Sequence, residues 1–145
     1  MKTLYFKIVN SLNNLKDIPL LLLRLILAYG FYGPAMMKIK DVHAIVEWFE
    51  SIEMPMPTLN AYLATYTEFI GFICLALGVA TRFISIPLII TMVVAIKTTH
   101  WENGFNASDN GYEIPLYYMI MLITLLINGA GRISADYFIT KMVKK

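Results

Sequence analysis

Residues 65–82 read TYTEFIGFICLALGVATR, and this stretch decides the fold. Phe69, Ile70, Phe72, Ile73, Leu75, Leu77 and Val79 leave a helix here with no polar face. Such a segment is a membrane span rather than the half-buried surface helix of a soluble domain. Glu68 interrupts it as the fourth residue of the stretch. On insertion scales a lone carboxylate at a helix centre costs about 3 kcal/mol unless it faces protein, water or a cation. Arg24, Lys97 and His100 stand in other apolar segments of the chain. The expectation is a small helical bundle built around a buried polar group.

Three more apolar runs surround that stretch. The first spans about 18–37, with Pro19 in its opening turn, where the missing N–H is no loss. Arg24 either snorkels to the near interface or turns inward to Glu68, and the pattern leaves both open. Gly30, Gly33 and Pro34 predict a thin, kinked end that lets another helix, or a second copy of the chain, approach closely. After it, Asp41 reads as an N-cap, with Val42, Ile45, Val46, Phe49 and Ile52 on one face and Glu47, Glu50 and Glu53 on the other. That predicts an interfacial helix over about 41–53, ended by Met54-Pro55-Met56-Pro57 and carrying a solvated His43. The second span covers about 60–80, the third 83–101 and the fourth 114–129, the last stopping at Asn128-Gly129. The fold class is therefore all-α: a transmembrane four-helix bundle with an interfacial helix in the first loop, one domain over 1–145.

The ends of the chain are amphipathic. Residues 1–17 alternate Leu4, Ile8 and Leu12 with Lys2, Lys7 and Lys16 and predict a short surface helix. A cleavable signal peptide is not expected, because the apolar run starts after Asp17 and becomes a full span. Residues 132–145 form a basic tail. A hydrophobic fraction of 58% with a mean hydropathy of +0.62 rules out an ordinary soluble domain. No basic stripe stands apart from the membrane flanks, so nucleic acid is not an expected partner. Lys2, Lys7, Lys16, Arg82, Arg132 and the tail lysines fall on one side of the membrane, against Lys38 and Lys40 on the other. The excess of positive charge predicts a multi-pass plasma-membrane protein with both termini in the cytoplasm.

Depth brings some of the polar groups together. At about 1.5 Å per residue, Glu68 lies roughly 12 Å below the outer boundary and Lys97 roughly 6 Å, with His100 and Glu113 at the rim. Glu68, Lys97 and His100 thus form a candidate proton or ligand site. The structural alternative is that Glu68, Arg24 and Lys97 pair to fix helix register.

Several motifs in chain order resemble the DoxX family of small membrane proteins. They are Thr67-Glu68-Phe69-Ile70-Gly71, Leu77-Gly78-Val79-Ala80-Thr81-Arg82, His100-Trp101-Glu102-Asn103-Gly104-Phe105, Asn110-Gly111-Tyr112-Glu113-Ile114-Pro115-Leu116 and Gly131-Arg132-Ile133-Ser134, with Arg24 in the first span. The resemblance covers about residues 18–136 and implies a four-helix membrane bundle. The family takes its name from a subunit linked to thiosulfate:quinone oxidoreduction, so it also implies a quinone and a redox partner protein.

The residues limit the chemistry. The single cysteine, Cys74, sits within a span, which excludes an intramolecular disulfide or dithiol relay. Haem held between spans wants two facing histidines, whereas only His100 is at a span end. No metal-ligand spacing appears, so no metal is expected. A quinone needs an apolar slot, hydrogen-bond donors and a proton acceptor. Glu68, Lys97 and His100 supply the chemistry, and Arg24, Tyr66, Trp101 and Glu113, with Tyr62 and Phe69, are candidate walls. Three readings follow: a quinone-interacting subunit of a membrane redox system, a small proton- or solute-handling membrane protein, and a non-catalytic scaffold or lipid-binding protein.

Overall fold

The computed structural model describes residues 6, 7, 9, 12, 13 and 15–143, and most of the surface helix expected over 1–17 lies outside them. Among the described residues the chain is entirely helical. Helix α1 (Asp17–Lys40) is followed by the short α2 (Val42–Ser51), then α3 (Pro57–Leu77), α4 (Thr81–Ala95), α5 (Glu113–Asn128) and α6 (Ala135–Val143). Helix α4 continues through a π turn, Ile96–His100, and a 3₁₀ turn, Trp101–Asn103, so that a rod of 23 residues runs from Thr81 to Asn103. That rod, α1 and α3 are each long and apolar enough to cross a membrane, and α5 is a shorter apolar helix of 16 residues. The protein is a multi-pass membrane protein.

Local chemistry explains where each helix starts and stops. Asp41 accepts from the Ala44 N–H at 3.0 Å and so caps α2. Pro57 opens α3 at a position that needs no donor, and Gly78 ends it with φ +68°. The turn into α4 is held from far along the chain. The Asp136 carboxylate accepts from Ala80 N–H at 2.7 Å and Thr81 N–H at 3.0 Å, while Asp136 N–H donates to Gly78 O at 2.9 Å. Helix α1 continues through Pro34 to Lys40 instead of ending near Met37. Proline removes one backbone bond without stopping the helix, because neighbouring helices support it in a membrane.

Helix α1 packs on α3 and α5, and α4 closes the ring by packing on the same two helices, with α2 lying against α3. Leu27, Phe31, Leu75, Leu88, Leu122 and Leu125 fill the centre. The outer surface is apolar as well, with Ile26, Tyr29, Leu77, Phe83, Ile90 and Ile127 exposed, as lipid contact requires. The buried remainder includes polar side chains: Arg24, Thr65, Glu68, Thr81, Ser85 and Ser134. Of the two glycines expected to admit close neighbours, Gly30 does so, since a Cβ there would collide with the Tyr118 phenol. Gly33 has nothing within 4 Å. Helices α1, α3, α4 and α5 join at two ends. The base holds Asp17, Leu77, Thr81 and Asn128, and the rim holds α2 and the 101–112 loop.

Candidate functional site

Glu68 stands on the inner face of α3 with Ala61, Thr65, Gly71 and Leu75, a helical stripe of otherwise small or apolar groups. It is 3% exposed. Its cation is Lys38, whose Nζ donates to Glu68 Oε1 at 2.5 Å. Lys38 reaches inward because α1 is still helical there. Arg24, Leu27, Ala28, Phe31 and Ala35 form the buried stripe of α1, and Lys38 is its next member. The other oxygen, Glu68 Oε2, is buried and has no hydrogen-bond partner among the described residues.

Beside the pair lies a cavity of about 210 Å³, with Phe31, Met92, His100 and Tyr118 among its walls. Each element contributes by a local rule. Tyr118 comes from α5, where it shares a face with the buried Leu122 and Leu125. Met92, Ala95 and His100 come from the α4 rod at spacings of three and five. The step of five is the π turn, which inserts one residue and brings His100 to the face that residue 99 would otherwise hold. His100 Nδ1 lies 2.7 Å from Asn110 O. A carbonyl only accepts, so Nδ1 carries the proton and Nε2 is left available. The cavity thus combines a cationic donor, a free carboxylate oxygen, an imidazole and a phenol with apolar walls.

Only two of the nine sequence-predicted site residues, Glu68 and His100, share this cavity. Arg24 is not a partner of Glu68. It lies near the base, 1% exposed, donating from Nη2 to Ile133 O at 2.8 Å; it does not snorkel, and among the described residues no carboxylate is in ion-pair range of it. Lys97 and Trp101 line a separate apolar groove of about 520 Å³, where Trp101 stacks on Tyr112 at 5.5 Å. Tyr66 is half-exposed and stacked on Tyr62 along the outside of α3. Glu113 braces the loop by accepting from Ala107 N–H and the Tyr117 hydroxyl, both at 2.9 Å. The sequence reading missed Lys38 and Tyr118. Both continue buried helical stripes, and that periodicity was the available signal.

The DoxX family model matches residues 19–101, more than half of the chain. The chain belongs to the DoxX family. The match takes in α1 to the π turn, and with them Lys38, Glu68 and His100. An uncharacterized protein of Haemophilus influenzae is 35% identical over 133 residues, covering 86% of this chain and 85% of the relative. A Bacillus subtilis protein named "Putative oxidoreductase CatD" is 26% identical over 130 residues, covering 90% of this chain and 93% of that protein. No solved structure matches. Family membership thus agrees with the helical membrane architecture.

Proposed function

We propose that this DoxX-family protein is a quinone-interacting accessory subunit of a membrane redox system, and that the Lys38–Glu68 cavity receives the quinone's polar ring. The observation that carries the reading is the half-satisfied Glu68. A buried carboxylate oxygen without a protein partner is costly and calls for a donor from outside the chain. The donor set suits a ring bearing two oxygens. Lys38 Nζ and the Tyr118 hydroxyl can donate to a carbonyl, Glu68 Oε2 can accept from a hydroxyl, and Phe31 and Met92 supply apolar contact. When bound, a quinone supplies a two-electron, two-proton couple, with electrons delivered by a partner redox protein. This chain's part is to hold the ring, exclude lipid and exchange protons through Glu68 and His100 near the rim. The name of the Bacillus subtilis relative supports redox chemistry, and positive charge at the base supports a cytoplasmic placement of both termini in the plasma membrane.

The test is mass spectrometry of solvent extracts from protein purified in mild detergent, followed by titration with a short-chain quinone. Wild type is expected to carry quinone, and Glu68→Gln and Lys38→Met are expected to bind it at least tenfold more weakly. His43→Gln, on exposed α2, should leave binding unchanged. Equal quinone content in wild type and both variants would sink the proposal. The free carboxylate also favours a second reading, proton or solute handling. Flux in sealed vesicles that disappears in Glu68→Gln but is indifferent to quinone would select it. If Glu68→Gln alters stability alone, a scaffold remains.

A further inference from the structure

We propose that the base of the bundle binds the phosphate of an anionic phospholipid, in a groove of about 650 Å³ beside Lys16 and Arg82. The start of α1, the start of α4, the end of α5 and α6 meet there. Five charged side chains line it, and they are not equivalent. Asp17 is already engaged: its Oδ1 accepts from Arg132 N–H at 2.8 Å and its Oδ2 lies 3.7 Å from Arg132 Nε. Asp136 is held by the two N–H groups at the start of α4, one on each oxygen. Lys16 and Arg82 remain, exposed and with no carboxylate in ion-pair range among the described residues. Arg82 is also positioned. Its side chain lies over the Gly129 backbone, so closely that a Cβ there would be 3.1 Å from Arg82 Nε.

A further cation stands behind this pair. The buried Arg24 guanidinium and the Ser134 side chain crowd the same face of Gly78, and Ser134 also lines the groove. Nε and Nη1 of Arg24 have no hydrogen-bond partner among the described residues. The groove therefore keeps an excess of positive charge: Lys16, Arg82 and Arg132 line it and Arg24 stands behind, against two carboxylates already engaged by backbone N–H groups.

The surroundings select a lipid over a soluble phosphate. Pro19, Leu20 and Leu23 form an apolar wall where α1 enters the bilayer, as a glycerol backbone and the start of an acyl chain require. Next to it α6 exposes Phe138, Ile139, Met142 and Val143, the pattern of a helix lying among headgroups. Asn128 donates its amide N–H to Thr124 O at 2.9 Å, which turns its amide oxygen into an available acceptor for a headgroup hydroxyl. Basic pockets between helices at the membrane surface are a known mode of anionic headgroup recognition.

Native mass spectrometry of the delipidated full chain, titrated with phosphatidylglycerol or phosphatidylcholine, tests the assignment. Wild type is expected to prefer phosphatidylglycerol at least tenfold. Lys16→Gln/Arg82→Gln should bring that preference to within twofold, and Lys40→Gln at the rim should retain it. Equal binding of the two lipids by wild type, or an undiminished preference in the double variant, overturns the site. Displacement of bound phosphatidylglycerol by millimolar inorganic phosphate also overturns it, because the groove would then take the free ion.

Discussion

At the level of single residues, the decisive contact joins Lys38 and Glu68 across α1 and α3. In a low-dielectric interior, two charges tolerate burial only as a pair, and removing one leaves the other uncompensated. Lys38→Met is therefore expected to destabilise the protein by about 3 kcal/mol, the lower end of the range for a broken buried pair. Lys38→Met/Glu68→Leu should recover most of that loss, since apolar replacement of both partners is often neutral. Thermal unfolding of the single and double variants in one detergent, read as a double-mutant cycle, measures the coupling. A double variant less stable than Lys38→Met would contradict the pairing. Glu68 was legible from sequence because a charge in an apolar run has no background to hide in. Its partner was not: Lys38 stands where flanking lysines normally mark the membrane edge, and the Gly33-Pro34 step disguises the continuing helix. Arg24 was misleading for the opposite reason. Its depth fitted an ion pair, but its one hydrogen bond among the described residues goes to the backbone carbonyl of Ile133, 109 residues away.

Among the elements, α1 and α5 meet where Gly30 receives the Tyr118 phenol. This contact lets Tyr118 sit beside Phe31, with ring centroids 5.5 Å apart, and line the cavity. A methyl group at position 30 must push the ring away. Overpacking of this kind costs about 1–3 kcal/mol, and Gly30→Ala should fall in that range. Tyr118→Leu in the same chain should restore stability while leaving quinone binding weakened, because it removes the obstruction together with the hydroxyl. Melting curves and quinone titrations of the single and double variants separate the two effects. The spans themselves were readable, because apolar runs of this length have few alternatives in water or lipid. The π turn was hidden. Nothing in Ile96-Lys97-Thr98-Thr99-His100 distinguishes i→i+5 bonding, so the sequence put Lys97 and His100 in one candidate site while the structure divides them between two cavities.

Over the whole molecule, charge divides along the bundle axis. The rim carries Asp41, Glu47, Glu50, Glu53, Glu102 and Asp109, and the base carries Lys16, Arg82, Arg132 and Lys141. Cationic flanks favour the cytoplasmic side, and on that rule the orientation we propose has the base inside and the rim outside. The orientation bears on both proposals. Lys38 and His100 would lie near the outer face, where protons exchange with the external medium, and the lipid groove would face the inner leaflet. Cysteine labelling settles it. In a Cys74→Ala background, Asn106→Cys in the exposed rim loop should react with a membrane-impermeant maleimide added to intact cells. Met142→Cys on α6 should react only after permeabilisation. The reverse pattern would turn the bundle over, move the cavity to the cytoplasmic leaflet and require its protons to come from inside the cell.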